Sequence, residues 1–457
     1  MGRFGRFFQM VGVLVGMVAG IVGLMAVFYL VAGELGNLLD WGFGLGPNTW
    51  ARVPVYFGEA IGNVVTLMLV LLMVSASLLT VAERKWSALM QNRIGANRIT
   101  VFGNAVGGLP FLVADALKML TKERVEPRGR FHLLYELAPI LSFAPVFALF
   151  AVIPVGPPVD LHQVLSAAPE GVHTISLQVA RTDTGLLYLF AIASLQVYGT
   201  ALAGWASNNK LALLGGVRAT SQMISYEVSL GLSLVGCMIA YRTLQLDQMV
   251  VAQGQPVIGS IPALGLLLQP VGFLIFFASA FAETKRAPFD LPEGESEIVG
   301  YFLEYSGMKF GLMFLAEFAE IVVLSGVVTA VFLGGWHPIL FEDALKDALS
   351  PFWFAAVAAA AFVVKMIVMM WLQLTIRWLL PRFRYDQIQK LCWKILLPAA
   401  LVNVFVTAAV LLVDPSMKLL AWIGLATLVV VAIITAAVGR APAATGQPAP
   451  SLHAAGH

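Results

Sequence analysis

The sequence predicts an all-α polytopic membrane protein with about ten transmembrane helices, and its composition and hydropathy are the observations behind this fold class. Of its 457 residues, 59% are hydrophobic and 12% are charged, whereas soluble domains average about 25% charged residues. So few charges cannot cover a water-exposed surface, which excludes a soluble enzyme, a disordered protein and a nucleic-acid-binding protein with a broad basic face. The two cysteines, Cys237 and Cys392, lie in apolar stretches and are too few for a cysteine-ligated iron–sulfur cluster or zinc site.

Long apolar stretches determine the predicted number of helices. A spanning helix needs roughly 20 mostly apolar residues. Such stretches lie at 9–32, 60–82, 131–155, 184–205, 217–241, 261–282, 310–333, 352–378, 391–413 and 416–439. A signal peptide is the alternative for the first stretch, but no small-residue cleavage site follows it, and the run is too long for the hydrophobic region of a signal. The tail at 440–457 has little apolar surface to bury and is predicted to be disordered.

Basic residues are concentrated in alternate loops between these spans. Segments 83–130, 283–309 and 377–390 hold most of them, and segment 206–216 holds Lys210 with Arg218 just beyond it. The intervening loops, at 33–59, 157–183, 242–260 and 334–351, carry one basic residue each. Basic loops stay in the cytoplasm. With ten spans, the two sets fall on opposite sides of the membrane, which predicts that both termini are cytoplasmic.

Two of the basic loops contain ordered polar sequences. Loop 83–130 contains Gln-Asn-Arg-Ile-Gly, in which Gly95 permits tight backbone packing. Anchoring by positive charge is the simpler interpretation of this loop, but it does not account for the ordered run. An amphipathic stretch at 114–122 follows, and it predicts an interfacial helix that is too short to span. Loop 283–309 contains five carboxylates, namely Glu283, Asp290, Glu293, Glu295 and Glu297.

The acidic loop has two plain interpretations besides a functional one. It can be a solvated loop, or Asp290 and Glu293 can form a capping box with Pro292 in the first helical turn. Capping alone does not account for Glu295 and Glu297. Carboxylates crowded beside a membrane disfavour one another's ionisation, so such a group can hold and pass protons.

Four ionisable residues lie inside predicted spans, where a charge is expensive and is functional by default. They are Glu227, Glu317, Glu320 and Lys365. We expect them at a similar depth, with Glu317 and Glu320 one turn apart on nearly the same helix face. Groups of this kind suit proton conduction, and a structural ion pair that fixes helix packing is the alternative. Glu136 either extends this set or lies at the membrane interface.

Several strings of residues are shared with a known family. They are ERK at 83–85, QNRIGANR at 91–98, SNNK at 207–210, ISYE at 224–227, AETKRAPFDLPEGESE at 282–297, EYSGMKF at 304–310, FLAEF at 314–318, FLGGW at 332–336, PRFRYDQ at 381–387 and WK at 393–394. Because of these strings, the sequence resembles the membrane component of NADH–quinone oxidoreductase (respiratory complex I) that holds the quinone cavity, the H-type subunit of the bacterial enzyme. The APFDLPEGESE string is long and highly specific.

The resemblance implies a division of the chain. The family core of eight spans corresponds to 60–413, preceded by an extra helix and an extracytoplasmic loop at 1–59 and followed by an extra helix at 414–439. Three departures from the family pattern touch the expected cavity. The stretch between Phe102 and Asp115 is longer, Lys285 replaces the usual Asn, and the stretch from Glu297 to Tyr305 is shorter.

The resemblance also implies a function. The chain would be one component of a proton-pumping enzyme in a bacterial plasma membrane and would not be catalytic alone. Quinone would be its substrate, and the chain itself would bind no metal, flavin or iron–sulfur cluster. Its partners would be a soluble subunit that carries the terminal iron–sulfur cluster, antiporter-like membrane subunits and the lipid bilayer, with no nucleic acid.

The same resemblance, together with the residue chemistry, assigns candidate sites. The residues expected to shape the quinone cavity are Glu83, Arg84, Arg93, Arg98, Arg286, Asp290, Glu293, Glu295 and Glu297. Those expected to relay protons are Glu227, Glu283, Glu317, Glu320 and Lys365. The histidines lie at span ends or in loops, a pattern that predicts no metal or haem site.

Two other function classes remain open from the sequence. The first is the equivalent anchor of a related membrane-bound hydrogenase or deazaflavin-dependent dehydrogenase, which would keep the fold and change the electron source. The second is a stand-alone secondary transporter, a class that often shows paired repeats and discontinuous helices at a midplane site. The sequence shows neither feature, and its polar strings lie in the predicted cytoplasmic loops.

Overall fold

The computed structural model describes residues 63–96, 98–99, 108–160, 174–259, 261–290, 300–338 and 342–440. Within these ranges the chain folds into a bundle of helices with two short antiparallel strand pairs. This architecture confirms the predicted class of an all-α polytopic membrane protein. The predicted span at 9–32 and the tail beyond residue 440 lie outside the described residues.

The helices follow one another along the chain with short connections. They are α1 (Val64–Met90), α2 (Pro110–Thr121), α3 (His132–Phe150), α4 (Gly185–Ala206), α5 (Lys210–Tyr241), α6 (Leu246–Gln253), α7 (Gly265–Leu268), α8 (Pro270–Glu283), α9 (Met308–Phe332), α10 (Glu342–Ala348), α11 (Pro351–Leu379), α12 (Tyr385–Val413) and α13 (Lys418–Arg440). The strand pairs are β1 (Val159–Asp160) with β2 (Thr174–Ile175), and β3 (Pro256–Ile258) with β4 (Ile261–Pro262). The first part of α1 and one turn of α12 are π-helical, over Val64–Val74 and Cys392–Leu396.

Eight of the described helices are long and apolar enough to cross a bilayer, and they correspond to the predicted spans other than the first and the sixth. These eight are α1, α3, α4, α5, α9, α11, α12 and α13. Pro139 and Pro145 lie inside α3. Helices surrounded by other helices tolerate such prolines, because neighbouring groups satisfy the backbone atoms that proline leaves unpaired.

The predicted sixth span, 261–282, is wrong as a single helix. It consists of strand β4, the short helix α7, and α8, which has only 14 residues. The break falls at Gln269, because Pro270 has no N–H to continue the preceding helix. The Gln269 side chain fills the break, donating to Thr407 and accepting from Asn403 of α12, both at 2.7 Å. The count of ten continuous spans is therefore not confirmed.

Helices α5 and α9 form the centre of the bundle. Helix α5 packs against α4, α8 and α12, and α9 packs against α3 and α11. Gly204 of α4 lies against Gly216 of α5 so closely that a Cβ on either would come within 3.1 Å of the other's Cα, as is common where membrane helices meet. Helix α9 is the most enclosed spanning helix described, with 83% of its apolar stretch buried. The carboxyl groups on α9 therefore face protein rather than lipid.

The loops predicted to be cytoplasmic meet at one end of the bundle, called here the basic end. The contacts that join the four segments are Glu83 with Arg286 and Arg377, and Asn209 with Glu304. The remaining described loops meet at the opposite end, where Arg181 pairs with Asp247 at 2.7 Å. The structure thus groups the loops into the two sets that the charge pattern predicts.

Candidate functional site

Glu83, near the C-terminal end of α1, connects three parts of the chain at the basic end. Its side chain is 14% exposed. One carboxylate oxygen accepts a hydrogen bond from Arg286 at 2.7 Å, and the other accepts one from Arg377 in the last turn of α11. Because each oxygen is bound by a guanidinium group, the Glu83 side chain is fixed in one orientation by charge-assisted hydrogen bonds.

Arg286 extends this contact toward the interior. The residue is 5% exposed, and its Nη2 atom lies 4.0 Å from Oε2 of Glu317 on α9. Its guanidinium carbon lies 3.8 Å from the centre of the Phe318 ring, a stacking position that suits a planar cation. Arg286 therefore links Glu83 at the basic end with Glu317 inside the bundle.

Glu317 contacts a second buried cation through a tyrosine. It lies about 14 Å from the start of α9 at ~1.5 Å per residue. Oε1 of Glu317 accepts a hydrogen bond from the Tyr301 hydroxyl at 3.5 Å, and Nζ of Lys285 lies 3.5 Å from the same hydroxyl oxygen. All three side chains are buried. Lys285 therefore has a place in the interior of the protein and not in a solvated loop.

A small cavity separates Glu320 from Glu283. Oε2 of Glu320 accepts a hydrogen bond from Gln196 of α4 at 3.0 Å, while its Oε1 has no hydrogen-bond partner among the described residues. Glu283, the last residue of α8, lines the same cavity, which has a volume of about 40 Å³. The rest of its lining is apolar, formed by Leu149, Leu189, Phe190, Ala193, Leu230, Leu234, Phe276, Val323, Leu324 and Val327. A buried water needs roughly 10–15 Å³ of such volume, so the cavity has room for water between the two carboxyl groups.

Glu227 lies next to this arrangement. It is half-buried on α5 and accepts a hydrogen bond from Ser194 of α4, and it is close enough to Glu283 to act on it electrostatically. The structure therefore brings four of the five predicted relay residues into one region. We call this region, together with its partners, the buried charge cluster: Glu83, Glu227, Glu283, Lys285, Arg286, Tyr301, Glu317, Glu320 and Arg377.

Lys365, the fifth predicted relay residue, is not part of the buried charge cluster. Its Nζ donates to the carbonyl oxygens of Leu333, Gly335 and His337, at 2.8, 3.0 and 2.6 Å. These carbonyls follow the end of α9, about 22 Å along the helix from Glu317 at ~1.5 Å per residue. The expectation of one shared depth is therefore wrong. The Lys365 ammonium group binds the carbonyls at the negative end of the α9 dipole.

The basic end also contains a larger opening, beside α1 and α2. Its volume is about 650 Å³, within the range of small-molecule sites. The opening is lined by Arg84, Ser87, Arg93, Ile94, Gly95, Ala96, Arg98, Ile99 and Phe111. Three of the predicted cavity residues, Arg84, Arg93 and Arg98, therefore lie together.

The backbone at Gly95 determines the shape of this opening. A Cβ at that position would lie 2.6 Å from Cβ of Ala88 and 2.9 Å from the carbonyl oxygen of Arg84. This close approach confirms that the Gln-Asn-Arg-Ile-Gly run needs a glycine for tight packing. Helix α2 forms another part of the wall through Phe111, and it confirms the predicted short helix after this run.

Asp290 lies apart from the other predicted cavity residues. It is buried and accepts a hydrogen bond from Arg382, which follows α11, at 2.5 Å. This contact ties the acidic loop to the PRFRYDQ string. Glu293, Glu295 and Glu297 lie outside the described residues, and so does the proposed capping box.

Lys309, at the start of α9, lies between two carboxylates at the basic end. It donates to Glu126 at 2.8 Å and also to Glu136 of α3. The hydrogen bond from Lys309 holds the pKa of Glu126 below its usual value. Glu136 is thereby placed at the edge of the bundle, which favours the interfacial interpretation of this residue.

The family to which the chain belongs follows from a comparison with known protein families. The family described as NADH dehydrogenase matches residues 63–408. The chain belongs to the NADH dehydrogenase family. The matched range includes every residue of the buried charge cluster and all the described residues that line the opening.

Curated relatives in this family carry one name, that of the H-type subunit of NADH-quinone oxidoreductase. The relative from Syntrophobacter fumaroxidans is 43% identical over 346 residues, which cover 75% of this chain and 93% of the relative. The relative from Geobacter sulfurreducens is 42% identical over 352 residues, covering 77% and 96%. The relative from Rhodospirillum centenum is 42% identical over 363 residues, covering 79% and 96%. The predicted resemblance is confirmed, and this family member is a membrane subunit of an oxidoreductase complex.

Some members of the site could not be found from the sequence of this NADH dehydrogenase family protein alone. Arg377 and Arg382 stand out only as basic loop residues, and Tyr301 and Gln196 carry no signal. Their partners are distant in the chain, so no local spacing identifies them. Within the ranges that the structure describes, no three His, Cys, Asp or Glu side chains are arranged to hold a metal ion.

Proposed function

We propose that this chain holds the quinone at its basic end and transmits the effect of quinone reduction to the buried charge cluster. The observation that carries the proposal is the unbroken series of contacts from Glu83 through Arg286 to Glu317. Glu83 is adjacent in sequence to Arg84, which lines the opening. Glu317 is one helical turn from Glu320. The series therefore runs from the expected substrate site into the membrane interior.

The opening at the basic end suits a reducible headgroup. Reduction of a quinone to a quinol takes up electrons and protons and passes through negatively charged forms. Guanidinium groups from Arg84, Arg93 and Arg98 can stabilise that charge where it develops. The electrons would come from a soluble partner subunit that carries an iron–sulfur cluster. Lys118 and Lys122, on and just after α2, offer charge for docking it.

Coupling requires that a change of charge at the quinone be felt at the carboxyl groups. Inside the bundle, charges interact more strongly than in water, so a change at Glu83 acts on Arg286 and through it on Glu317. Moving one proton against ~150 mV requires roughly 3.5 kcal/mol. A tightly packed series of charged groups fits this demand better than an open water channel. Antiporter-like membrane subunits would receive the signal from the buried carboxyl groups.

The proposal also assigns an orientation. The basic end would face the cytoplasm, because short loops rich in Lys and Arg stay on that side. Both termini would then be cytoplasmic. The grouping of the four basic loops at one end of the bundle supports this orientation.

The experiment is a pair of charge-removing substitutions in the complete complex, Glu227→Gln and Glu317→Gln. Each keeps the shape of the side chain and removes its ability to carry charge. Proton pumping coupled to NADH–quinone turnover is expected to fall about tenfold, the effect of roughly 1.4 kcal/mol on the rate-limiting barrier. NADH oxidation with a water-soluble electron acceptor is expected to remain normal, because the soluble partners are unchanged.

The matched control is Glu342→Gln at the opposite end of the bundle, where Glu342 pairs with Lys346 at 2.7 Å. This variant is expected to pump normally. Normal pumping by both Glu227→Gln and Glu317→Gln would remove the relay from the proposal. Copurification with a nickel-bearing soluble module, in place of a flavin-bearing NADH module, would favour the hydrogenase alternative.

A further inference from the structure

Lys285 has an unusual position for a cation. It is 2% exposed, and burying an ammonium group without a compensating charge is strongly unfavourable. Its backbone φ is 55°, in the left-handed region that Gly and Asn adopt more readily than residues with long side chains. Two unfavourable features at one residue indicate that the cation itself is required there.

The surroundings of Lys285 show which charges it can balance. Its Nζ lies 3.5 Å from the Tyr301 hydroxyl oxygen and 5.9 Å from the centre of that ring. Among the described residues it forms no direct ion pair with a carboxylate within 4.0 Å. It nevertheless acts electrostatically on both Glu283 and Glu320. Lys285 therefore contributes to two carboxyl groups at once, and it is not committed to either.

The ionisable groups of the cluster can be divided by their contacts. Arg377 and Arg286 contact Glu83, and Arg286 also approaches Glu317, so these two cations match these two carboxyl groups. Glu283 and Glu320 remain, and Lys285 is the buried cation left for them. Arg286 also acts on Glu320, and the half-buried Glu227 acts on Glu283. With one cation for two carboxyl groups, balance requires one carboxylate and one carboxylic acid.

We propose that Lys285 is the fixed counter-charge of a Glu283–Glu320 pair that shares a single proton. This proposal rests on the proposed function and adds a residue and a charge state to it. When the proton moves, an O–H bond breaks on one carboxylic acid and forms on the other carboxylate. The pair has one negative charge before and after the transfer, and Lys285 balances that charge in both states.

The geometry between the two carboxyl groups supports such a transfer. Both line the cavity of about 40 Å³, which has room for a water that accepts one proton and releases another. The unpartnered Oε1 of Glu320 is available for that water. Lys285 is thus a positioning residue, since it acts on the proton through the carboxyl groups and does not carry it.

The test compares Lys285→Asn, Glu320→Gln and the double variant in the complete complex. Asn tolerates the left-handed backbone, so the single change at Lys285 relieves strain and removes only the cation. Without Lys285 both carboxyl groups hold protons, and without Glu320 the remaining Glu283 stays ionised beside Lys285. Each single variant is therefore expected to lower the ratio of protons pumped to electrons transferred by about tenfold, equivalent to roughly 1.4 kcal/mol.

The double variant removes one charge of each sign and is expected to recover to within about threefold of the unchanged complex, because coupled sites are not additive. Lys418→Asn, on the exposed start of α13, is the matched control and is expected to pump normally. Should Lys285→Asn fail to assemble, the double variant decides. Restored assembly supports the pairing, and failure of both contradicts it.

A structural role for Lys285 predicts a different pattern. The single variants would then melt at lower temperature while the ratio of protons to electrons stays unchanged, and that result would overturn the proposal. Loss of pumping in Glu317→Gln together with normal pumping in Lys285→Asn would reject the counter-charge and retain the relay. Normal pumping in Glu317→Gln would reject the relay itself.

Discussion

Arg286 and Arg84 form similar ion pairs in different surroundings. Arg286 is buried between Glu83 and Glu317, whereas Arg84 pairs with Asp115 at 2.6 Å with its side chain 48% exposed. Removing one member of a buried pair leaves an uncompensated charge and costs about 3–5 kcal/mol, while exposed pairs contribute about 0–1 kcal/mol.

We therefore predict that Arg286→Met lowers the free energy of unfolding by several times more than Arg84→Met. Thermal unfolding of the purified protein in one detergent measures both. Equal destabilisation by the two substitutions would show that Glu83 and Glu317 do not depend on Arg286.

Glu126 makes one contact at the basic end sensitive to pH. Its pKa lies below the usual value of 4.5, first because of the hydrogen bond from Lys309. A carboxyl group whose pKa is lower in the folded state binds more protons when unfolded, so its contribution is complete above pH 4.5 and is lost as the pH falls through the folded value. We predict that the segment before Lys309 loosens on acidification below that point.

A fluorophore on Val125→Cys measures this change, because Val125 is exposed and the described cysteines, Cys237 and Cys392, are buried. Its mobility is expected to rise at acidic pH. With Glu126→Gln added, the mobility is expected to be high at every pH. A transition that persists in the double variant would assign the effect to another group.

Residue chemistry predicted much of the site and little of its connectivity. The intramembrane carboxyl groups Glu227, Glu317 and Glu320 could be found from the sequence, because a charge in an apolar stretch is conspicuous. Arg377 could not be assigned to Glu83, since the two residues are joined only by tertiary packing. Lys365 was expected near the carboxyl groups because depth along a helix gives no direction around it.

The same limit applies to whole helices. Eight spans could be predicted from apolar length alone, and the described helices confirm them. The break at Gln269 was missed, because a window of about 20 apolar residues does not distinguish one helix from a strand, a turn and a shorter helix. Pro270 carried the signal, since proline favours the first turn of a helix over its interior.

Helix α13 depends on a single close contact with the broken segment. Gly424 lies so near the carbonyl oxygen of Leu267 in α7 that any Cβ there would overlap with it. We predict that Gly424→Val displaces α13 and lowers the melting temperature of the protein. Ala426→Val, on an exposed part of the same helix, is expected to have little effect. Equal melting temperatures for the two variants would contradict this docking.

The two ends of the whole molecule differ in chemistry, and that difference predicts its orientation. Val125 lies at the basic end and Gln248 at the opposite end, and both are exposed. In intact cells, a membrane-impermeant thiol reagent is expected to label Gln248→Cys and to spare Val125→Cys. Inverted vesicles are expected to give the reverse pattern. Labelling of Val125→Cys from outside the cell would place the basic end on the wrong side of the membrane.

The family membership and the internal geometry agree about what the whole chain does. The matched range 63–408 contains both the opening at the basic end and the buried charge cluster. Helix α13 lies beyond that range and packs on α7 without contributing to the cluster. The account therefore rests on whether buried carboxyl groups exchange protons when quinone is reduced.

The most direct measurement is the number of protons translocated per electron by the complete complex in proteoliposomes, compared between the unchanged chain and Glu283→Gln. Glu283 lies where the acidic loop meets the cavity that it shares with Glu320, so the account predicts a ratio near zero with quinone still reduced slowly. An unchanged ratio in the Glu283→Gln complex would contradict the account.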